Sequence, residues 1–97
     1  MPKAIESCQH VNQIKVVANR DGVEGCEDCL KIGGTWVHLR MCLTCGYVGC
    51  CDSSPNQHAR QHFNDSSHAI IQTVEPGEAW GYCYVDEAYF RQVPPPA

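Results

Sequence analysis

The chain has no concentrated positive charge. Lys3, Lys15, Arg20, Lys31, Arg40, Arg60 and Arg91 are scattered, and the formal net charge is −4. Nucleic-acid binding needs a cationic footprint to collect phosphates, so a nucleic-acid partner is not expected. Long apolar runs are missing too. No stretch approaches the roughly 20 residues of a membrane-spanning helix. The opening residues, 1–10, carry no apolar core of a secretory leader. A soluble, cytoplasmic, monomeric protein without a membrane partner is the expectation. Internal repeats are absent, and Pro94-Pro95-Pro96 is the only biased segment. Apolar bulk is scarce as well: the 43% hydrophobic content includes eight cysteines. A 97-residue chain of this kind is one domain with a marginal core, which needs a staple.

The staple is visible in what the chain does have, eight cysteines and five histidines. Cys26-Glu27-Asp28-Cys29 and Cys42-Leu43-Thr44-Cys45 are two Cys-x-x-Cys knuckles. Cys8-Gln9-His10 precedes them; Cys50, His58-x3-His62, His68 and Cys83 follow. A Cys-x-x-Cys turn places two thiolates on one side of a hairpin, as two corners of a tetrahedral zinc site require. An even cysteine count also suits a disulfide framework. Such frameworks have no use for interleaved histidines, and they belong to oxidising compartments. Zinc in a reducing compartment is therefore the reading.

Structural zinc takes four ligands. Cys51 adjoins Cys50, and neighbouring residues rarely serve one ion, so Cys51 is expected to be a small buried residue. His38 has no partner at ligand spacing and is expected to face solvent on a strand. Setting these two aside leaves eleven candidates, one short of three full sites. Asp86 lies three residues after Cys83 and can supply the twelfth ligand, or it can serve as the N-cap of a last helix. Spacing alone does not say which pairs share an ion.

Local patterns indicate an α+β class: a small zinc-stapled domain with a twisted antiparallel sheet, one main helix and a short C-terminal helix. Strands are expected near 14–17, 35–41, 46–49, 69–74 and 80–85. Ser54, Pro55 and Gln57 form a capping-box signature, which predicts the main helix over about 55–64 and puts His58 and His62 on one face. Residues 86–92 are expected to form the second helix. The expected organisation is a flexible stretch over 1–7, a folded domain over 8–91 and a proline-rich flexible tail over 92–97.

Catalysis is not expected. His58-x3-His62 lacks the glutamate of a zinc protease, since Ala59 follows the first histidine. A catalytic zinc also needs an open position, which a complete ligand set does not leave. One alternative to a binding module is a zinc- or redox-responsive protein in which Cys50 and Cys51 oxidise and release metal.

The order and spacing of these motifs, including Cys42-Leu43-x-Cys45-Gly46 and His58-Ala59-x2-His62, resemble the ubiquitin-binding UBP-type zinc finger over about residues 8–90. The small standalone prokaryotic branch of that family looks especially similar around Cys50-Cys51-Asp52-Ser53-Ser54-Pro55. The resemblance implies three zinc sites. Cys26 and Cys29 would share an ion with Cys50 and His58. Cys42 and Cys45 would share one with His62 and His68. Cys8 and His10 would share the third with Cys83 and Asp86. The family has cysteine at the last position, so this third site is expected to be the weakest.

The resemblance also implies a partner: the free C-terminal Gly-Gly tail of a protein such as ubiquitin. Tyr84 and Tyr89 match two pocket tyrosines. Tyr82 stands at a pocket tryptophan, Arg40 at a pocket aromatic, and Asp52 at a pocket arginine. That last change replaces an attraction for the tail carboxylate with a repulsion. Each is on the order of 4 kcal/mol at ~4 Å before screening. Weak or absent binding of ubiquitin itself is the expectation.

Overall fold

A computed structural model describes residues 10–96. The expected flexible stretch 1–7 and the expected ligand Cys8 lie outside the described residues. Five short strands form one antiparallel sheet: β1 (Leu39–Cys42), β2 (Val48–Cys50), β3 (Ile70–Thr73), β4 (Gly81–Cys83) and β5 (Ala88–Phe90). Their order across the sheet is β2-β1-β3-β4-β5. Two helices, α1 (Glu27–Ile32) and α2 (His58–Ser66), complete the α+β fold.

The first helix was not read from the sequence. Cys26 starts it: its thiol accepts a hydrogen bond from Cys29 N at 3.4 Å, as an N-cap side chain would. Glu27 and Asp28 lie at its positive end and Lys31 at its negative end. Gly33 ends it in the left-handed conformation, φ 69°.

The second helix begins later than the expected 55–64. Ser54 does not cap it. The Ser54 hydroxyl instead accepts from Val37 N at 2.8 Å, tying the segment before β1 to this loop. Gln57 adopts a left-handed conformation, φ 49°, and its amide donates to Asp52 O at 2.8 Å. The acceptor at the helix start is Cys50 Sγ, 3.1 Å from His58 N. A cysteine on β2 thus replaces the capping box.

Two further expectations are corrected. Residues 86–92 form no helix. A turn after Cys83, with Glu87 at φ 52°, reverses the chain into β5. Pairing of Tyr82 with Tyr89 and of Gly81 with Phe90 then holds that strand, whose alternate residues Ala88 and Phe90 are buried. Segment 14–17 forms no strand either. Val11–Gln13 is a 3-10 turn, Ile14 is buried behind it, and Lys15 N and Val16 N both donate to Leu43 O. Part of the expected tail is packed, because Val93 lies against the core that contains Phe90.

Side chains alternate across the sheet. One face carries Leu39, Met41, Val48, Ile70 and Phe90 into two small apolar clusters. The cross-strand row Ile71–Tyr82–Tyr89, with Arg40 beside it, lies on the other face. Helix α2 packs beside that face at Gly49, where an added Cβ would meet Ala59 N at 2.7 Å.

Candidate metal centres and an aromatic cleft

Three groups of potential ligands converge, each with its ligand atoms within 4.8 Å of one another. Cys26 and Cys29 at the start of α1 meet Cys50 from β2 and His58 from α2, and all four are buried. His58 Nδ1 lies 3.1 Å from Cys26 Sγ, 3.3 Å from Cys29 Sγ and 3.7 Å from Cys50 Sγ. Cys29 Sγ and Cys50 Sγ are 3.9 Å apart. In the second group Cys45 Sγ lies 3.4 Å from His62 Nε2, Cys42 Sγ lies 3.6 Å from His68 Nδ1, and the two imidazole nitrogens are 3.3 Å apart. The third joins His10, Cys83 and Asp86, with His10 Nδ1 3.2 Å from Asp86 Oδ2 and 3.6 Å from Cys83 Sγ.

These donor sets fit zinc. Tetrahedral zinc with its usual bond lengths separates sulfur from sulfur by about 3.8 Å and sulfur from nitrogen by about 3.6 Å. The chemistry of the first group makes the same point. Burial pushes the Cys26 thiol up to about 12, so a cluster of thiolates there needs a cation. Burial raises Cys42 as well. His62 is lowered, first by burial and then by His68, which favours the neutral imidazole a metal requires. The Cys83 segment copies a knuckle: Asp86 N donates to Cys83 Sγ at 3.4 Å, just as Cys29 N does to Cys26 Sγ at 3.4 Å. The cysteines of the described residues form no disulfide.

Second contacts hold the ligands. Tyr47 stacks on His62 with ring centres 4.4 Å apart, and its hydroxyl donates to Asp28 on α1. That hydrogen bond keeps the Asp28 carboxyl below its ordinary value. One tyrosine thereby joins α1 to the second ligand group.

A cleft of about 300 Å³ lies beside the Tyr82 face of the sheet. Arg40, Asp52, Tyr82, Tyr84 and Tyr89 all line it. So do Trp80, which sequence reading grouped with these tyrosines, and three residues that it gave other roles or none: Arg60, His38 and Cys51. The aromatic rings form a chain. Trp80 meets Tyr89 at 5.5 Å, Tyr89 meets Tyr82 at 4.8 Å, Tyr82 meets Tyr84 at 5.5 Å, and Tyr84 stacks on Phe63 at 5.1 Å. Arg40 sits 4.6 Å over Trp80, and its Nη1 donates to Leu39 O and Thr73 Oγ1. Arg60 sits 4.7 Å over Tyr84 and is bound to Asp52. Burial raises the Tyr82 and Tyr84 hydroxyls, so both remain donors at neutral pH. Arg60 gave no metal-spacing signal, because it lies two residues from each helix histidine and off their shared face. His38 is exposed, as expected, but precedes β1.

Residues 26–94 match the family described as the zinc finger in ubiquitin hydrolases and other proteins. Ubiquitin carboxyl-terminal hydrolase 44 of Ailuropoda melanoleuca is 27% identical over 89 residues, covering 88% of this chain and 12% of that protein. Ubiquitin carboxyl-terminal hydrolase 45 of Homo sapiens is 32% identical over 92 residues, covering 78% of this chain and 11% of that protein. The chain therefore spans about one eighth of the length of these relatives. A solution structure of protein RPA1320 from Rhodopseudomonas palustris is 52% identical and superposes with a TM-score of 0.75, covering 91% of this chain and 88% of that one. The chain belongs to the UBP-type zinc-finger family.

Proposed function

We propose that the chain is a zinc-stapled interaction module, not an enzyme, and that its aromatic cleft receives the free C-terminal tail of a protein partner, with ubiquitin itself held weakly or not at all. All twelve predicted ligands are assigned to zinc on this reading, Cys8 completing the group of His10, Cys83 and Asp86. Bound zinc supplies a cross-link between elements and no reaction.

The observation that carries the binding reading is the meeting of four aromatic side chains and two arginines in one cleft. Aromatic walls suit a narrow, extended tail, while the arginines and the protonated tyrosine hydroxyls suit a carboxylate. Asp52 argues for altered recognition. With Arg40, Arg60 and Asp52 charged, the cleft carries one net positive charge, and the Asp52 carboxylate repels an incoming one.

Titration of the zinc-loaded protein with a peptide ending in a free Gly-Gly, with its C-terminal amide, and with ubiquitin tests the reading. The free acid is expected to shift resonances of Tyr82, Tyr84 and Tyr89, and the amide to bind more weakly. Silence at these residues at millimolar free acid, in the parent and in Asp52→Asn alike, overturns the tail cleft. Low-micromolar ubiquitin binding overturns the altered recognition.

The redox alternative has one observation in its favour. Burial raises the Cys51 thiol, but its contacts with Ser54, with the backbone of His38 and Ser53, and with the Arg40 charge outweigh that and leave it below the ordinary thiol value. Against it, Cys50 and Cys51 are both buried. Zinc release by mild peroxide, compared between the parent and Cys51→Ser, decides; equal release excludes this role.

A further inference from the structure

Arg60 already holds a carboxylate in the manner a ligand's would be held. Its Nε donates to both oxygens of Asp52, at 3.1 Å each, and its Nη2 donates to Oδ2 at 2.7 Å. This side-on fork is the edge of a guanidinium that recognises planar oxyanions. Both side chains line the cleft, and both are partly open to water, 39% exposed for Arg60 and 50% for Asp52.

The guanidinium has a second support that does not depend on Asp52. It stacks over Tyr84, and that ring is backed by Phe63 on one side and met edge-on by Tyr82. Asp52, for its part, serves the loop through its backbone, whose carbonyl accepts from Gln57. An asparagine keeps that bond and the side-chain shape while removing the charge. Arg40 differs, because the acceptors of its Nη1 are neutral groups, Leu39 O and Thr73 Oγ1.

We infer that Arg60 is a carboxylate-binding residue of the cleft and that Asp52 is its built-in competitor, so that a ligand's carboxylate engages Arg60 by displacing Asp52. The inference rests on the reading of the cleft as a tail site, and it identifies which residues set the affinity. A tail with one carboxylate exchanges one ion pair for another at Arg60 and leaves the Asp52 charge beside it. Affinity is therefore low until Asp52 is neutralised.

The test uses the zinc-loaded full chain, with Asp52→Asn, Arg60→Gln and the double variant, each checked for parental zinc content and amide spectrum. Acetate is the first probe, read at the Arg60 Nε–H resonance. It is expected to shift that resonance in Asp52→Asn and not in the parent at the same concentration. The second probe is the Gly-Gly peptide. Asp52→Asn is expected to bind its free acid about tenfold more tightly than the parent, by removing one nearby repulsion in a partly solvated site. The gain should vanish for the amide and in the double variant. No acetate shift at Arg60 in Asp52→Asn, or an equal gain without Arg60, overturns the inference. Acetate binding at Arg60 without peptide binding in any variant overturns the tail reading and leaves the carboxylate site standing. Peptide binding by the parent with no gain in Asp52→Asn does the reverse.

Discussion

At the scale of single residues, side chains around the candidate ligands add contacts that the knuckles do not supply. Tyr47 joins the second ligand group to α1, with its ring on His62 and its hydroxyl on Asp28. Tyr47→Phe keeps the ring and removes the hydrogen bond. It is expected to cost about 1 kcal/mol in denaturant unfolding and to leave zinc content unchanged. Loss of zinc in that variant would show that the hydroxyl, not the ring, holds His62. The Cys and His ligand candidates were legible from spacing, because knuckle geometry is local, while their grouping came from the family resemblance. Arg60 was not. The role proposed for it rests on its contacts with Asp52 and Tyr84, which separation along the sequence hides.

At the scale of elements, close packing of α2 on β2 makes Gly49 a point of no tolerance. A Cβ there would meet Ala59 N at 2.7 Å, Ala59 Cα at 2.9 Å and the Tyr47 ring at 2.8 Å. Two of these three neighbours are backbone and cannot rotate away. Gly49→Ala is expected to destabilise by about 1–3 kcal/mol and to lower zinc affinity, since β2 and α2 carry Cys50 and His58. An unchanged melting temperature would contradict this packing. The elements also show where local pattern misleads. The capping-box signature at Ser54 was overridden because Ser54 Oγ is committed to Val37 N and a thiol caps the helix instead. The helical look of residues 86–92 yielded to strand pairing that buries Phe90. Helix α1 was missed although its acidic start, Lys31 and Gly33 were in view, because Cys26 is an unusual N-cap.

At the scale of the whole molecule, apolar burial is divided between two small clusters, and cysteines contribute to both. The ligand groups add ties between elements: α1 to β2 and α2, the end of β1 and the β1–β2 turn to the middle of α2 and the segment after it, and His10 to the β4–β5 turn. Removal of metal by excess chelator is therefore expected to collapse amide dispersion in the NMR spectrum, with recovery on adding zinc back. Retention of a dispersed spectrum without metal would mean that the apolar clusters suffice.

On the reading proposed above, Cys and His residues, joined by Asp86, hold this domain through three metal groups. Native mass spectrometry of the parent and of Asp86→Ala tests it most directly. Three zinc ions in the parent and two in the variant are predicted. Two ions in both, or three in both, would contradict the role given to Asp86, and an intact fold with no bound zinc would show that metal does not hold the domain together.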